Sequence, residues 1–312
     1  MGFLFFSKCR ILLIIFFFVN QCNFSQKKVS SAEDSIEKKI SIDGIERRYL
    51  VYVPKVQLSS EEKIPMVVML HGRFGTAERM LEFYKMNLIA NREKFIVLYP
   101  DGFQKSWADG RGGNSPADKH KIDDVKFLET IILQTSDAFP VDKTKIFIAG
   151  HSNGGFMTQR MLIEKTYLFR AGVSVMSQLS KNVMESNSPT KSVSVAIIAG
   201  TEDPLVPYHG GFVQDGSEIL GAEDSVSRWV EWNQCNLKPT TQTIDEKKDD
   251  TKLEIYSHSN CKDKTNVKLY KVIGAGHNWP GVTLKIPFVP LGRNTEELDA
   301  SEEVWNFFKN QS

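Results

Sequence analysis

Apolar residues in this chain fall into short continuous runs, separated by stretches that repeat every three to four positions. Runs at 65–70, 95–99, 146–149, 171–176, 193–199 and 267–273 are rich in β-branched and aromatic side chains and are bounded by turn residues. That pattern predicts six buried strands. Helical spacing occupies 77–91, 124–135, 155–165, 224–232 and 297–308; Val125, Leu128, Ile131 and Ile132 form the core-facing stripe of one helix. Continuous apolar strands alternating with amphipathic helices predict an α/β fold, with a mostly parallel central sheet covered on both faces. Alternation around Asp43-Gly44 predicts a hairpin over 39–53. The charged run 245–250 reads as a solvated turn between two strands. The connection 176–193 is too short for a large cap, so an open site is expected.

The first 25 residues depart from this pattern. Lys8 and Arg10 precede nine apolar residues running from Ile11 to Val19, followed by Asn20 and Gln21. A bilayer needs about 20 apolar residues, whereas a shorter core fits a signal peptide. Cleavage after Ser25 and release to a secreted, periplasmic or extracellular location is the expectation. The competing reading has the signal end before a lipidated Cys22, although no small residue directly precedes that cysteine. Residues 26–37 then read as a linker and 38–312 as the catalytic unit, with no transmembrane segment in the mature chain.

Export changes what the cysteines mean. Cys9 and Cys22 lie in or beside the signal, which leaves Cys235 and Cys261 in an oxidising compartment. A disulfide is the natural state there, and two separate buried thiols are the alternative. A formal net charge of +1 gives no electrostatic case for nucleic acid. Neutral or weakly charged small molecules are the expected partners.

The chemistry centres on Gly150-His151-Ser152-Asn153-Gly154, a G-x-S-x-G pentapeptide between a predicted strand and a predicted helix. In that setting the glycines permit a sharp turn that exposes a serine hydroxyl. A serine nucleophile needs a base, and the base needs an orienting acid. The order Ser, acid, His points to Asp203, just past the strand at 193–199, with Glu202 as runner-up. It points next to His277, in the glycine-rich loop after the last strand. His209, six residues past Asp203, reads as lining the site. His71 reads as structural and His258 as closing an edge hairpin.

Backbone N–H groups of Asn153 and Arg73 are the expected oxyanion donors. Trp107 and Trp279 are candidate substrate contacts, with core packing the alternative for Trp107; Trp229, Trp232 and Trp305 read as core. Asp123 and Asp124 read as helix caps. There is no H-E-x-x-H and no C-x-x-C, so no metal or other cofactor is expected.

Several motifs occur together in order: Leu70-His71-Gly72, Tyr99-Pro100-Asp101-Gly102, Trp107-Ala108-Asp109-Gly110-Arg111 and Asp123-Asp124-Val125. They continue through the serine pentapeptide, Gly200-Thr201-Glu202-Asp203-Pro204 and Gly276-His277-Asn278-Trp279-Pro280-Gly281. From about residue 45 to 308 the chain resembles secreted α/β-hydrolase esterases, the group of polyhydroxybutyrate depolymerase-like, feruloyl and acetylxylan esterases. The resemblance implies Ser152, Asp203 and His277 as a triad and a disulfide between Cys235 and Cys261. Arg73 departs from it, because relatives often carry a small residue or cysteine after the His-Gly pair.

The expected function is a serine carboxylic-ester hydrolase acting on soluble acylated saccharides, feruloylated or acetylated, or on short ester oligomers. With no large cap and no polymer-binding domain expected, long-chain lipids and solid polyester should be poorer substrates. Two rivals remain: a serine peptidase of the prolyl-peptidase type, and a non-catalytic relative that holds a glycan or lipid.

Overall fold

The computed structural model describes residues 2, 34–57, 59, 61–282 and 289–311. The expected signal segment, apart from Gly2, and the Cys22 lipidation site lie outside the described residues.

The chain opens with β1 (Ile36–Ile42) and β2 (Ile45–Tyr52), an antiparallel pair turning on Asp43 and Gly44, both at positive φ. The predicted hairpin is therefore present. It begins at Ile36, where the sequence reading still placed linker, because Ile36 already pairs with Val51. Next come β3 (Ile64–Leu70), α1 (Ala77–Tyr84), α2 (Met86–Glu93) and β4 (Ile96–Pro100). The helix predicted over 77–91 breaks at Lys85, whose φ is +57°. At about 100° per residue, one unbroken helix would turn Tyr84 and Met86 about 200° apart. The break lets both be buried.

There follow α3 (Pro116–Lys119), α4 (Asp124–Ala138), β5 (Val141–His151), α5 (Asn153–Glu164), β6 (Ala171–Val175) and α6 (Lys181–Ser186). Beyond them lie β7 (Ser194–Gly200), a short pair β8 (Gly211–Phe212) and β9 (Glu218–Ile219), and α7 (Ala222–Trp232). The last elements are β10 (Thr240–Ile244), β11 (Lys252–His258), β12 (Val267–Ile273) and α8 (Ala300–Lys309). Ten strands form one sheet in the order β1-β2-β4-β3-β5-β6-β7-β12-β11-β10. The six from β4 to β12 run parallel, and an antiparallel hairpin closes each edge. This is the mostly parallel, doubly covered sheet that the strand and helix pattern predicts, and the α/β-hydrolase architecture that the resemblance implies.

Side chains along each parallel strand alternate between two cores. Met66, Val68 and Leu70 face α4, α5 and α7, where they meet Phe127, Met157 and Trp229. Val67 and Met69 face α1, α2 and α8, where they meet Leu81, Ile89 and Phe308. Because both faces are covered, the carboxyl ends of the parallel strands are where an open α/β sheet gathers its chemistry. Among the described residues, no helix is long and apolar enough to cross a membrane. Cys235, just after α7, is bonded to Cys261, between β11 and β12.

Candidate active site

Ser152 sits between β5 and α5 with φ 54° and ψ −121°, a backbone conformation that most residues avoid. Its strain is held by neighbours that only glycine allows. A Cβ on Gly150 would collide with the carbonyl of Gly154, and one on Gly154 with the carbonyls of Leu70 and His71. The Ser152 N–H donates to the Val175 carbonyl at 2.9 Å, fixing the turn to β6. Sharp turn, tight packing and helix start together lift the hydroxyl above the sheet end.

Two other strands deliver the partners of that hydroxyl. His277 follows β12, and its Nε2 lies 2.7 Å from Ser152 Oγ. Its Nδ1 lies 2.7 Å from Asp203 Oδ2, in the turn after β7. The second oxygen of Asp203 accepts N–H groups of Leu205 and Val206, each at 2.8 Å, so the carboxylate cannot swing away. With Nδ1 donating to Asp203, Nε2 is left to accept the serine proton. Glu202, the runner-up acid, makes no such contact with His277.

Behind His277 lies a dry layer of rings. His151 stacks on it with centroids 5.3 Å apart, and the Tyr84 hydroxyl is 2.8 Å from His151 Nδ1. Burial, reinforced by the positive charge His277 can carry, pushes the His151 imidazole well below its ordinary range. His71 is also buried. Its Nε2 accepts the Gly102 N–H and its Nδ1 donates to the Gly72 carbonyl, which pins the loop that carries Arg73. Desolvation keeps it neutral as well. His71 is therefore structural, as its sequence position suggested.

The backbone N–H groups of Arg73 and Asn153 both flank Ser152, and neither is used by another acceptor among the described residues. Asn153 is held by its side chain. Its Oδ1 accepts the Trp107 N–H at 2.8 Å; its Nδ2 donates to the Trp107 carbonyl at 3.0 Å and to Asp109 at 2.6 Å. Asp123 caps α4, as expected. Asp124 does something else: buried, it pairs with Arg47 at 2.6 Å and accepts the Ala108 N–H at 2.7 Å.

Three expected substrate contacts do not hold. Trp107 is fully buried, with its indole N–H donating to the His71 carbonyl. Trp279 is fully buried beneath His151, with its N–H on Ser301 Oγ. His209 is exposed and is not among the described residues lining the cavity. The cavity over Ser152, about 360 Å³, is walled instead by Met80, Phe83, Phe156, Leu205 and Val206. Arg73, Arg79 and Arg111 also reach it, and Arg111 packs over the Phe156 ring at 4.1 Å. Arg111 closes the Trp-Ala-Asp-Gly-Arg motif, so its position beside a buried acid was the available signal. Arg79 gave none. Among the described residues, no group of three or more His, Cys, Asp or Glu side chains is placed to hold a metal.

The sequence model of the esterase PHB depolymerase family matches residues 47–188, a stretch that includes Arg73 and Ser152 but ends before Asp203. NocK from Nocardia uniformis subsp. tsuyamanensis is 24% identical over 86% of this chain and 81% of its own length. Feruloyl esterase B from Piromyces equi is 25% identical over 74% of this chain, which spans only 42% of that longer protein. The solved acetyl xylan esterase from Aspergillus awamori shares the fold, with a TM-score of 0.55 and 14% identity. That match covers 88% of this chain and 99% of the other.

Proposed function

We propose that the chain is a carboxylic ester hydrolase of the polyhydroxybutyrate depolymerase, feruloyl and acetylxylan esterase type, whose chemistry Ser152, His277 and Asp203 perform. The observation that carries this reading is the unbroken relay from Asp203 through His277 to Ser152, two contacts of 2.7 Å. As Ser152 Oγ attacks the ester carbonyl, His277 Nε2 takes its proton, and Asp203 stabilises the imidazolium without accepting the proton itself. The carbonyl oxygen, now negative, is met by the Arg73 and Asn153 N–H groups and by the N-terminal end of α5. His277 returns the proton to the leaving alcohol. Water then attacks the acyl-serine by the same route, releasing the acid and restoring the hydroxyl.

A cavity of about 360 Å³ suits a small acyl or aryl group with part of its alcohol. Soluble acylated saccharides and short ester oligomers therefore remain the favoured substrates. Loss of Trp107 and Trp279 as contacts moves substrate grip to the walls formed by Phe83 and Phe156. Export to an oxidising compartment is part of the proposal, and the Cys235–Cys261 bond supports it.

A fluorophosphonate probe should label the wild-type protein on the peptide carrying Ser152. Ser152→Ala should lose both the label and p-nitrophenyl acetate turnover, by several orders of magnitude. Near-wild-type turnover by that variant would overturn the reading.

A further inference from the structure

Seven arginines of the described chain sit within ion-pairing distance of an Asp or Glu carboxylate. Arg73 and Arg79 do not, and both line the cavity that holds Ser152. Arg73 Nε is buried with no hydrogen-bond partner, and the nearest ring to its guanidinium is Phe74, 5.4 Å away. The cavity's described lining offers one carboxylate, Asp215, which feels the charge of Arg73 without an ion pair to it and is bonded elsewhere. It accepts from the Ser217 N–H and hydroxyl and lies 3.7 Å from Arg111.

A buried N–H without an acceptor is costly, and so is a cation held near apolar walls without a counter-charge. Elsewhere in this molecule that need is met from within. Here Arg79 is exposed to solvent, and the buried Arg73 Nε–H, within the field of Asp215 but not bonded to it, is left for whatever enters. The planar fork of a guanidinium matches a carboxylate in two parallel hydrogen bonds, and two such side chains line the cavity that holds Ser152.

We propose, on the premise that Ser152 is the nucleophile, that this site prefers esters bearing a carboxylate, which Arg73 and Arg79 bind while the ester carbonyl sits over Ser152. The class includes half-esters of dicarboxylic acids, with the charge on the acyl side, and esters of hydroxy acids or uronic acids, with the charge on the alcohol side. The neutral walls of Met80 and Phe83 hold the chain between charge and ester. This refines the expectation of neutral or weakly charged partners drawn from net charge, because overall charge says nothing about two arginines without ion-paired carboxylates in one cavity.

Two matched pairs test it. Mono-p-nitrophenyl glutarate against p-nitrophenyl valerate places the charge on the acyl side. 4-Acetoxybenzoate against its methyl ester places it on the leaving side, with each rate normalised to hydroxide hydrolysis. In at least one pair the anionic member should show kcat/KM about tenfold higher at low salt, as a partly exposed charge-assisted contact implies. Raising salt to about 0.5 M should shrink that ratio, since screening is then strong. Arg73→Gln and Arg79→Gln should each lower the ratio. Reading a ratio within each variant removes any general loss of folded enzyme. Equal rates in both pairs, or a ratio that neither substitution changes, would overturn the carboxylate preference while leaving Ser152 untouched. Undiminished turnover of all four esters by Ser152→Ala would overturn the premise instead, and the proposal with it.

Discussion

Asn153 grips both ends of the Trp107 backbone: its carboxamide oxygen takes the Trp107 N–H at 2.8 Å and its nitrogen donates to the Trp107 carbonyl at 3.0 Å. The residue that offers its own N–H beside Ser152 is thereby bolted to the loop carrying Asp109 and Arg111. Asn153→Asp keeps shape and backbone but sets a second carboxylate against Asp109, now a 2.6 Å partner. Two buried carboxylates at that range repel, and the variant should lose about 2–4 kcal/mol of stability. A melting temperature equal to wild type would show that the clamp is not holding the site.

Asp203→Asn tests the other end of the relay. An asparagine can present its NH₂ to His277 Nδ1, which forces the proton onto Nε2 and leaves no base facing Ser152. With geometry preserved, kcat should fall on the order of 10³–10⁴-fold with little change in KM. A loss under tenfold would remove Asp203 from the mechanism.

Much of this site was legible because its members occupy positions that chemistry restricts. Ser152 stands in a turn that glycines must build, while Asp203 and His277 each follow a buried parallel strand at its carboxyl end. Residues whose role depends on tertiary burial were not legible. Trp107 and Trp279 lie in loops rich in small and polar residues, which reads as exposure. Yet one indole is drawn under the loop that His71 starts, and the other lies beneath His151 against Tyr84. Arg79 was hidden for a related reason. A helical pattern across 77–91 gives no sign of the turn at Lys85 that seats Tyr84, or of which face of α1 borders the cavity.

The disulfide makes a claim independent of catalysis. Cys235 and Cys261, separated by 26 positions, tie the end of α7 to the connection between β11 and β12. Closing a loop of that length contributes about 3–4 kcal/mol in the chain-entropy model. A Cys235→Ser, Cys261→Ser double variant should lose about that much in urea unfolding, yet keep its ester turnover at room temperature, since neither cysteine borders the cavity. Unchanged unfolding would refute the stabilising role.

Two buried imidazoles predict how stability depends on pH. Burial holds His71 below its ordinary value of 6.5 and His151 well below it, the latter aided by charge on His277. In the unfolded chain both recover ordinary values, so below pH 6.5 the unfolded state binds more protons than the native one. Stability is then full above the unfolded value and is lost as pH falls toward the folded ones. Unfolding free energy should therefore fall as pH drops from about 7.5 through 6.5 toward about 5.5. Asp118 and Asp124, which burial raises, act with the opposite sign. His151→Gln keeps a hydrogen-bonding partner for Tyr84 but does not titrate, and should remove the larger share of the drop. Stability that is flat across this window in wild type, or a drop that His151→Gln leaves intact, would show that His151 is not held neutral behind His277.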